Sequence, residues 1–283
     1  MRSPGRHSQR LDHLWPRTRP VVMGILNRTP DSFADGGECL AFDDAMDRAE
    51  SLIEGGAAII DVGGESTRPG ASPVGAAEES RRVIPVISEI RRRWPETLLS
   101  VDTSKVEVAS AAMDAGADLV NDVTAASEPG MLDLVAGCEA GVVLMHMRGE
   151  PRTMQHDTSY TNVVAEVHEF LRRRAGAAVA AGIQPHRVWL DPGIGFGKDD
   201  AGNVALLASL SDLAAIGYPV LIGPSNKSFI GRLTGAPVEA RLPGTLGALI
   251  PAVGLARVVV RVHDPAAAVQ FLEIAARCDE VSA

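Results

Sequence analysis

Short, nearly uninterrupted runs of Val, Ile and Leu alternate along the chain with longer stretches whose apolar residues recur at helical spacing. The short runs are VVMGIL from Val21, AAIIDVG from Ala57, LLSVD from Leu98, DLVND from Asp118, GVVLMHM from Gly141, RVWLDPG from Arg187, PVLIGPS from Pro219 and RVVVRVHD from Arg257. Runs of this length without polar alternation read as strands of a parallel sheet covered on both faces. Between them lie AFDDAMDRAESLIEGG from Ala41, AEESRRVIPVISEIRRRW from Ala77, KVEVASAAMDAGA from Lys105 and TNVVAEVHEFLRRRAGAAVAAG from Thr161. NVALLASLSDLAAIG from Asn203, ARLPGTLGALIPAVG from Ala240 and PAAAVQFLEIAARC from Pro265 complete the set. The first opens on Asp and closes on glycine, the polarity of a helix. In the second, Pro85 predicts an early turn or a kink, because it lacks the N–H of the helical ladder.

About eight strand–helix units without an intervening linker predict an α/β fold, a single closed (β/α)8 TIM barrel over residues 20–283, preceded by a short loose arm over residues 1–19. An open doubly wound sheet is the alternative. It calls for a GxGxxG turn after the first strand, and none stands there.

Each predicted strand ends in polar residues. Asn27 closes the first; Asp61 and then Glu65, Thr67 and Arg68 follow the second; Asp102 closes the third, Asn121 and Asp122 the fourth, His146 the fifth and Asp191 the sixth. Ser225, Asn226 and Lys227 follow the seventh, and Arg261, His263 and Asp264 close the eighth. Any one Asp, Asn, Ser or Thr at such a junction is an ordinary helix cap. Lys, Arg and His are unfavourable at a positive helix terminus, so their presence calls for another reason. In a closed barrel these strand ends converge on one mouth, where barrel enzymes carry their sites, with phosphate bound after the seventh and eighth strands. Lys227, Arg261, His263 and Arg68 therefore predict a phosphorylated substrate.

Composition narrows the setting. The 283 residues are 46% hydrophobic, ample for a large core, with a net charge of -9 that argues against a general nucleic-acid surface. No run of about 18 apolar residues predicts a membrane span. The first twenty residues lack the apolar stretch of a secretory signal. Cys39, Cys138 and Cys278 are scattered, which excludes a disulfide framework and fits a reducing cytoplasm.

At these same segments the chain resembles the dihydropteroate synthase family. The matching stretches are LNRTPDSFADGG from Leu26, IIDVGGESTRPG from Ile59, SVDTSKVEV from Ser100, NDV from Asn121, LMHMRGEPRTMQ from Leu144, DPGIGFGK from Asp191, GPSNKSFIG from Gly223 and RVHD from Arg261. The resemblance implies joining of a pterin diphosphate to p-aminobenzoate with loss of pyrophosphate. It implies a pterin site of Asp102, Asn121, Met145, Asp191, Phe196, Gly223 and Lys227, and a p-aminobenzoate site of Thr67, Arg68, Pro69 and Ser225. Asn27, Arg68, Arg261 and His263 would hold pyrophosphate, with Asn27 the protein ligand of a Mg²⁺ ion. Asp102, Lys227, Arg261 and His263 would carry the catalysis. RTPDSFADGG and GESTRPGASPVG would be lids. A homodimer through helices of the later units is expected.

Two positions depart from the family pattern: Arg28 stands where a small apolar residue is usual, and Asn226 where Arg is usual. Both lie in loops that touch substrate in the family. A silent pterin-binding paralogue is therefore one alternative, and the pterin-binding barrel of a corrinoid methyltransferase another. The retained Asp102, Asn121, Asp191, Lys227, Arg261 and His263 argue against the first. The DVGGESTRPG and RVHD segments argue against the second.

Overall fold

A computed structural model describes residues 10–11, 14, 19–28, 38–67, 70–150 and 152–282. Eight parallel strands close in sequence order, the first hydrogen-bonded to both the second and the eighth. They are β1 (Val21–Asn27), β2 (Ile59–Gly63), β3 (Leu98–Asp102), β4 (Leu119–Asp122), β5 (Gly141–Met145), β6 (Val188–Asp191), β7 (Val220–Ile222) and β8 (Val258–Val262). The expected closed barrel is thus the observed one, and each predicted run coincides with a strand, β1 running one residue beyond its run to Asn27. Observed strands are shorter where the run enters a turn. β7 stops at Ile222, just before Gly223 and Pro224, and proline has no N–H for a sheet ladder.

The helices are α1 (Glu38–Glu54), α2 (Ala76–Arg93), α3 (Val106–Ala115), α4 (Met131–Cys138), α5 (Val163–Ala180), α6 (Asp200–Ala208), α7 (Leu210–Ala214), α8 (Ser228–Thr234), α9 (Leu242–Gly247) and α10 (Pro265–Ser282). Pro85 does not end α2. It lies on the exposed face, while Val83, Val86, Ile87 and Ile90 hold the opposite face in the core. The segment from Asn203 folds as two helices meeting at Ser209, and the segment from Ala240 as α9 followed by a 3-10 turn, Ile250–Ala252. Helices α4 and α8 were not expected from the pattern. Both are short, eight and seven residues, and begin beside Gly130 and Lys227 rather than a hydroxyl or carboxylate cap.

One apolar core lies between the barrel wall and the helices. A second fills the barrel's N-terminal end: Val21, Met23, Ile59, Leu98, Leu119, Val143, Trp189, Leu221 and Val259, with Leu11 and Leu14 from the expected arm. The described arm positions are therefore anchored rather than loose, because the apolar floor of the barrel needs covering. Arg10 donates to Asp118 Oδ1 at 3.3 Å, and Asp118 Oδ2 accepts from Arg91 at 2.5 Å.

Candidate active site

Side chains alternate between the two faces of a strand, so the inward positions can be followed up the barrel. Above the apolar floor, two residues along each strand, stand Ile25, Asp61, Ser100, Asn121, Met145, Asp191, Gly223 and Arg261. Two residues further come Asn27, Gly63, Asp102, Val123, Met147, Gly193, Ser225 and His263. The interior thus changes from apolar to polar along its axis. Ile25, Asn27, Thr67, Asp102, Gly223, Ser225, Lys227, Arg261 and His263 line one cleft at the mouth.

An ion network crosses the barrel beneath that cleft. Arg261 Nε donates to Asp61 Oδ2 at 2.6 Å, and its Nη2 donates to Asp102 Oδ2 at 2.8 Å. Asn121 Nδ2 donates to the same Asp61 oxygen at 3.1 Å. Burial pushes the Asp102 carboxyl up to about 7, with Arg261 pulling the other way. Burial also works against the Arg261 charge, but Asp61 and Asp102 more than reverse it and leave this guanidinium more basic than usual.

Beside the network, Val123, Met145, Met154 and Phe196 pack as one buried apolar cluster, with Met147 against them. Lys227 Nζ lies 4.0 Å from the centre of the Phe196 ring, a cation–π contact. The buried Asp191 carboxylate accepts from Gly193 N at 2.7 Å, and burial raises its pKa to about 6. Gly193 has φ 69°, and a Cβ there would lie 1.9 Å from the His146 carbonyl oxygen, so only glycine permits this turn. The turn is clamped from below by Lys198. Its Nζ reaches the carbonyls of His146 at 3.1 Å, Gly193 at 2.9 Å and Phe196 at 2.8 Å, and His146 Nδ1 at 3.0 Å. Burial, followed by the Lys198 charge, drives the His146 imidazole down to about 3. The ring is neutral and can accept at Nδ1.

On the other side of the mouth, Ser225 Oγ lies 2.9 Å from His263 Nδ1 and accepts from His263 N at 3.2 Å, tying the ends of β7 and β8. Asn226 has φ 56°; its N–H donates to Thr245 Oγ1 at 3.1 Å, and Arg241 donates to its carbonyl at 3.1 Å. The left-handed conformation suits Asn, whose short polar side chain tolerates it. Arg28 donates its backbone N–H to Gly63 O at 2.7 Å. Asn27 lines the cleft with Arg261 and His263, and its Oδ1 lies 3.6 Å from where a Cβ on Gly63 would stand. Among the described residues no three His, Cys, Asp or Glu side chains group to hold a metal. Asn27 Oδ1 is one oxygen of this cleft, beside the carboxylates of Glu65 and Asp102, that a divalent ion could take together with substrate and water.

Asn27, Thr67, Asp102, Gly223, Ser225, Lys227, Arg261 and His263 thus share one cleft, while Asn121, Met145, Asp191 and Phe196 are buried and do not line it; Asn121 reaches it through Asp61, and Phe196 through Lys227. Arg68 and Pro69 lie outside the described residues, as does the first expected lid beyond Arg28. The second lid is fixed at its base: Glu65 accepts from Val74 N at 3.1 Å and pairs with Lys105, which also reaches the buried Glu79 at 2.5 Å. The strand-end reading named Asp61 and Glu65 without giving either a role, and passed over Lys105, Glu79 and Lys198. The signal for Asp61 was its inward register, two residues beyond Ile59. Lys105 and Glu79 carried no comparable signal, because they pair with each other across 26 positions; Lys198 reaches Gly193 and Phe196 in its own loop but meets His146 only across 52 positions.

A closed (β/α)8 barrel with cations and carboxylates at its C-terminal mouth, beside a buried apolar cluster, defines a barrel enzyme whose site can receive an anion. The family model described as pterin binding enzyme matches residues 23–263. The dihydropteroate synthase of Synechocystis sp. is 44% identical over 259 residues, covering 91% of this chain and 89% of that one. The Xanthomonas albilineans dihydropteroate synthase structure with 4-aminobenzoic acid matches with TM-score 0.86 and 48% identity, over 94% of each chain. The same organism's enzyme in complex with 7,8-dihydropteroate matches with TM-score 0.83 and 45% identity, again over 94% of each. The chain belongs to the dihydropteroate synthase family of pterin binding enzymes.

Proposed function

We propose that the chain condenses 6-hydroxymethyl-7,8-dihydropterin diphosphate with p-aminobenzoate, giving 7,8-dihydropteroate and pyrophosphate. The observation that carries this reading is the juxtaposition of a carboxylate and a guanidinium, Asp102 and Arg261, in the cleft that Lys227 and His263 also line. The relatives that hold 4-aminobenzoic acid and dihydropteroate support the substrate class.

The pterin lies against Met145 and Phe196, which give it apolar walls. Asp191 accepts from the ring amide N–H and 2-amino group, two parallel charge-assisted bonds. Asn121 meets the ring with its amide, and Lys227 meets the carbonyl and ring nitrogen. The diphosphate lies toward Asn27, Arg261 and His263, with Arg68 adding charge from its loop. Thr67, Arg68, Pro69 and Ser225 receive p-aminobenzoate.

Reaction is dissociative. The bond from the pterin methylene carbon to the diphosphate oxygen breaks, and the electron pair leaves with pyrophosphate. Asp102 stabilises the cation left on carbon and ring, while Arg261 and His263 stabilise the departing anion. Fixed charges aimed at charge that develops in the transition state are usually the largest catalytic contribution. The neutral aniline nitrogen then forms the new C–N bond and loses its proton, without needing a strong base. Mg²⁺, held by Asn27 with phosphate oxygens and water, would add further neutralisation of the diphosphate.

No helix among the described residues is long and apolar enough to cross a membrane. The reading includes action in the cytoplasm and a homodimer through the later units, where Leu233, Val238, Ile250 and Ile274 are exposed. The test is turnover: pyrophosphate release that requires both substrates is expected. Pterin binding without release would make the chain a silent paralogue and overturn the reading.

A further inference from the structure

Asp61 is wholly buried on β2, and its contacts lie far away in sequence. Its Oδ2 accepts from Arg261 Nε on β8 at 2.6 Å and from Asn121 Nδ2 on β4 at 3.1 Å. Its Oδ1 is buried with no hydrogen-bond partner among the described residues. Resting on the synthase reading, we propose that Asp61 is the positioning residue that sets the pterin-binding amide and the pyrophosphate-binding guanidinium in register with each other.

The argument is one of donors and acceptors. An ionised carboxylate only accepts, whereas a primary amide presents a donor end and an acceptor end of nearly the same shape. Asp61 therefore admits only the nitrogen end of Asn121. The carbonyl oxygen and second N–H are left for the ring, in one fixed order. Without that carboxylate the amide can turn over, and its pattern toward the pterin's own donors and acceptors reverses.

The same oxygen fixes Arg261. With Nε on Asp61 and Nη2 on Asp102, the planar guanidinium is held at two points, leaving Nη1 uncommitted to either carboxylate. A diphosphate can draw Nη2 away from Asp102 while Nε remains on Asp61. Asp61 is thus the pivot of an exchange that bares the Asp102 carboxylate as the leaving group is bound. Carboxylates hold a guanidinium in such an orientation through directed, charge-assisted bonds. Asp61 itself is wholly buried and does not line the cleft, so it acts through Asn121 and Arg261.

The test is Asp61→Asn, which keeps volume and removes the acceptor-only character. Four quantities are measured: kcat, both KM values, the affinity for 6-hydroxymethyl-7,8-dihydropterin lacking the diphosphate, and the affinity for inorganic pyrophosphate with magnesium. Expected are losses of about tenfold in each affinity, the size of one hydrogen bond to a charged group. A fall in kcat of about a hundredfold is expected, with the KM for p-aminobenzoate within about twofold of the parent. Adding Asn121→Ala to the variant should cost less pterin affinity than the same change costs the parent. A variant with parental kcat and affinities and only a lower Tm overturns the proposal, because a purely structural buried charge moves stability alone.

Should Asp61→Asn fail to fold, the pair Asn121→Ser and Arg261→Lys is measured singly and together for pterin diphosphate binding. Non-additive losses are expected from residues that share one oxygen, and strictly multiplicative losses overturn the proposal. A parent chain that binds pterin but releases no pyrophosphate defeats the synthase reading. The affinity measurements still judge Asp61.

Discussion

Arg261 Nη2 donates to Asp102 Oδ2 at 2.8 Å, so the two groups that would meet opposite charges in the transition state are bonded to each other at rest. Each lowers the electrostatic cost of burying the other. The arrangement also keeps the anion site and the cation-stabilising site within one contact, and drawing Arg261 toward a diphosphate changes the environment of Asp102.

The first prediction concerns pH. Burial pushes the Asp102 carboxyl up to about 7, and only its ionised form stabilises a cation. The ratio kcat/KM for the pterin diphosphate should therefore fall as pH drops through about 7, approaching a tenfold loss per unit. Asp102→Asn should be slow throughout and lack this acid limb; a limb that persists assigns it to another group. A raised carboxyl pKa means that the folded state holds this proton where an unfolded chain has released it. Stability from this group is then fully present below about pH 4 and is lost as pH rises through about 7. Activity and this stability contribution run in opposite directions, and Tm measured beside the rate profile separates them.

Asp191→Asn should weaken pterin binding by about 1–3 kcal/mol, the cost of leaving a buried polar group unmatched. The Asn carbonyl can still accept from Gly193 N–H, which Asp191 does at 2.7 Å, and its NH2 then faces the pterin's own donors. Titration calorimetry checks the affinity and thermal melting checks the fold. Unchanged affinity would reduce Asp191 to a turn-stabilising residue.

Asn226→Arg should act on both stability and recognition. Asn226 has φ 56°, and a long side chain in this region costs roughly 1–2 kcal/mol, so Tm should fall. The added guanidinium offers a broad cationic plane at the edge of the proposed p-aminobenzoate pocket, which Asn lacks. The KM for p-aminobenzoate and the inhibition constant of a sulfonamide should both move, and by different factors, because a sulfonamide projects a substituent beyond the p-aminobenzoate envelope. Parental values for both would make position 226 a neutral loop site. Equal changes would mean that it contributes to binding without discrimination.

The eight strands were legible because a doubly covered strand requires a local composition, a short run of branched apolar residues, that needs no knowledge of its neighbours. The weaker helices were not. The run Met131–Cys138 and the run Ser228–Thr234 are too short for periodicity to stand out and are held by packing rather than by caps. The anchoring of Leu11 and Leu14 was hidden for a related reason: two isolated leucines become a floor only once a barrel of matching width lies above them.

By itself the sequence determined the eight units, the polar residues at their ends and the gathering of cations late in the chain, since each depends on spacing within one segment. Tertiary structure alone decided which of those groups meet. Asp61 and Arg261 lie 2.6 Å apart and are 200 positions apart in the chain, and only barrel closure brings β2 and β8 to either side of β1. It also decided that Asp61 is buried outside the cleft lining while Asp102 reaches the cleft itself. That distinction follows from the inward register of each strand and its height in the barrel, which no single segment contains.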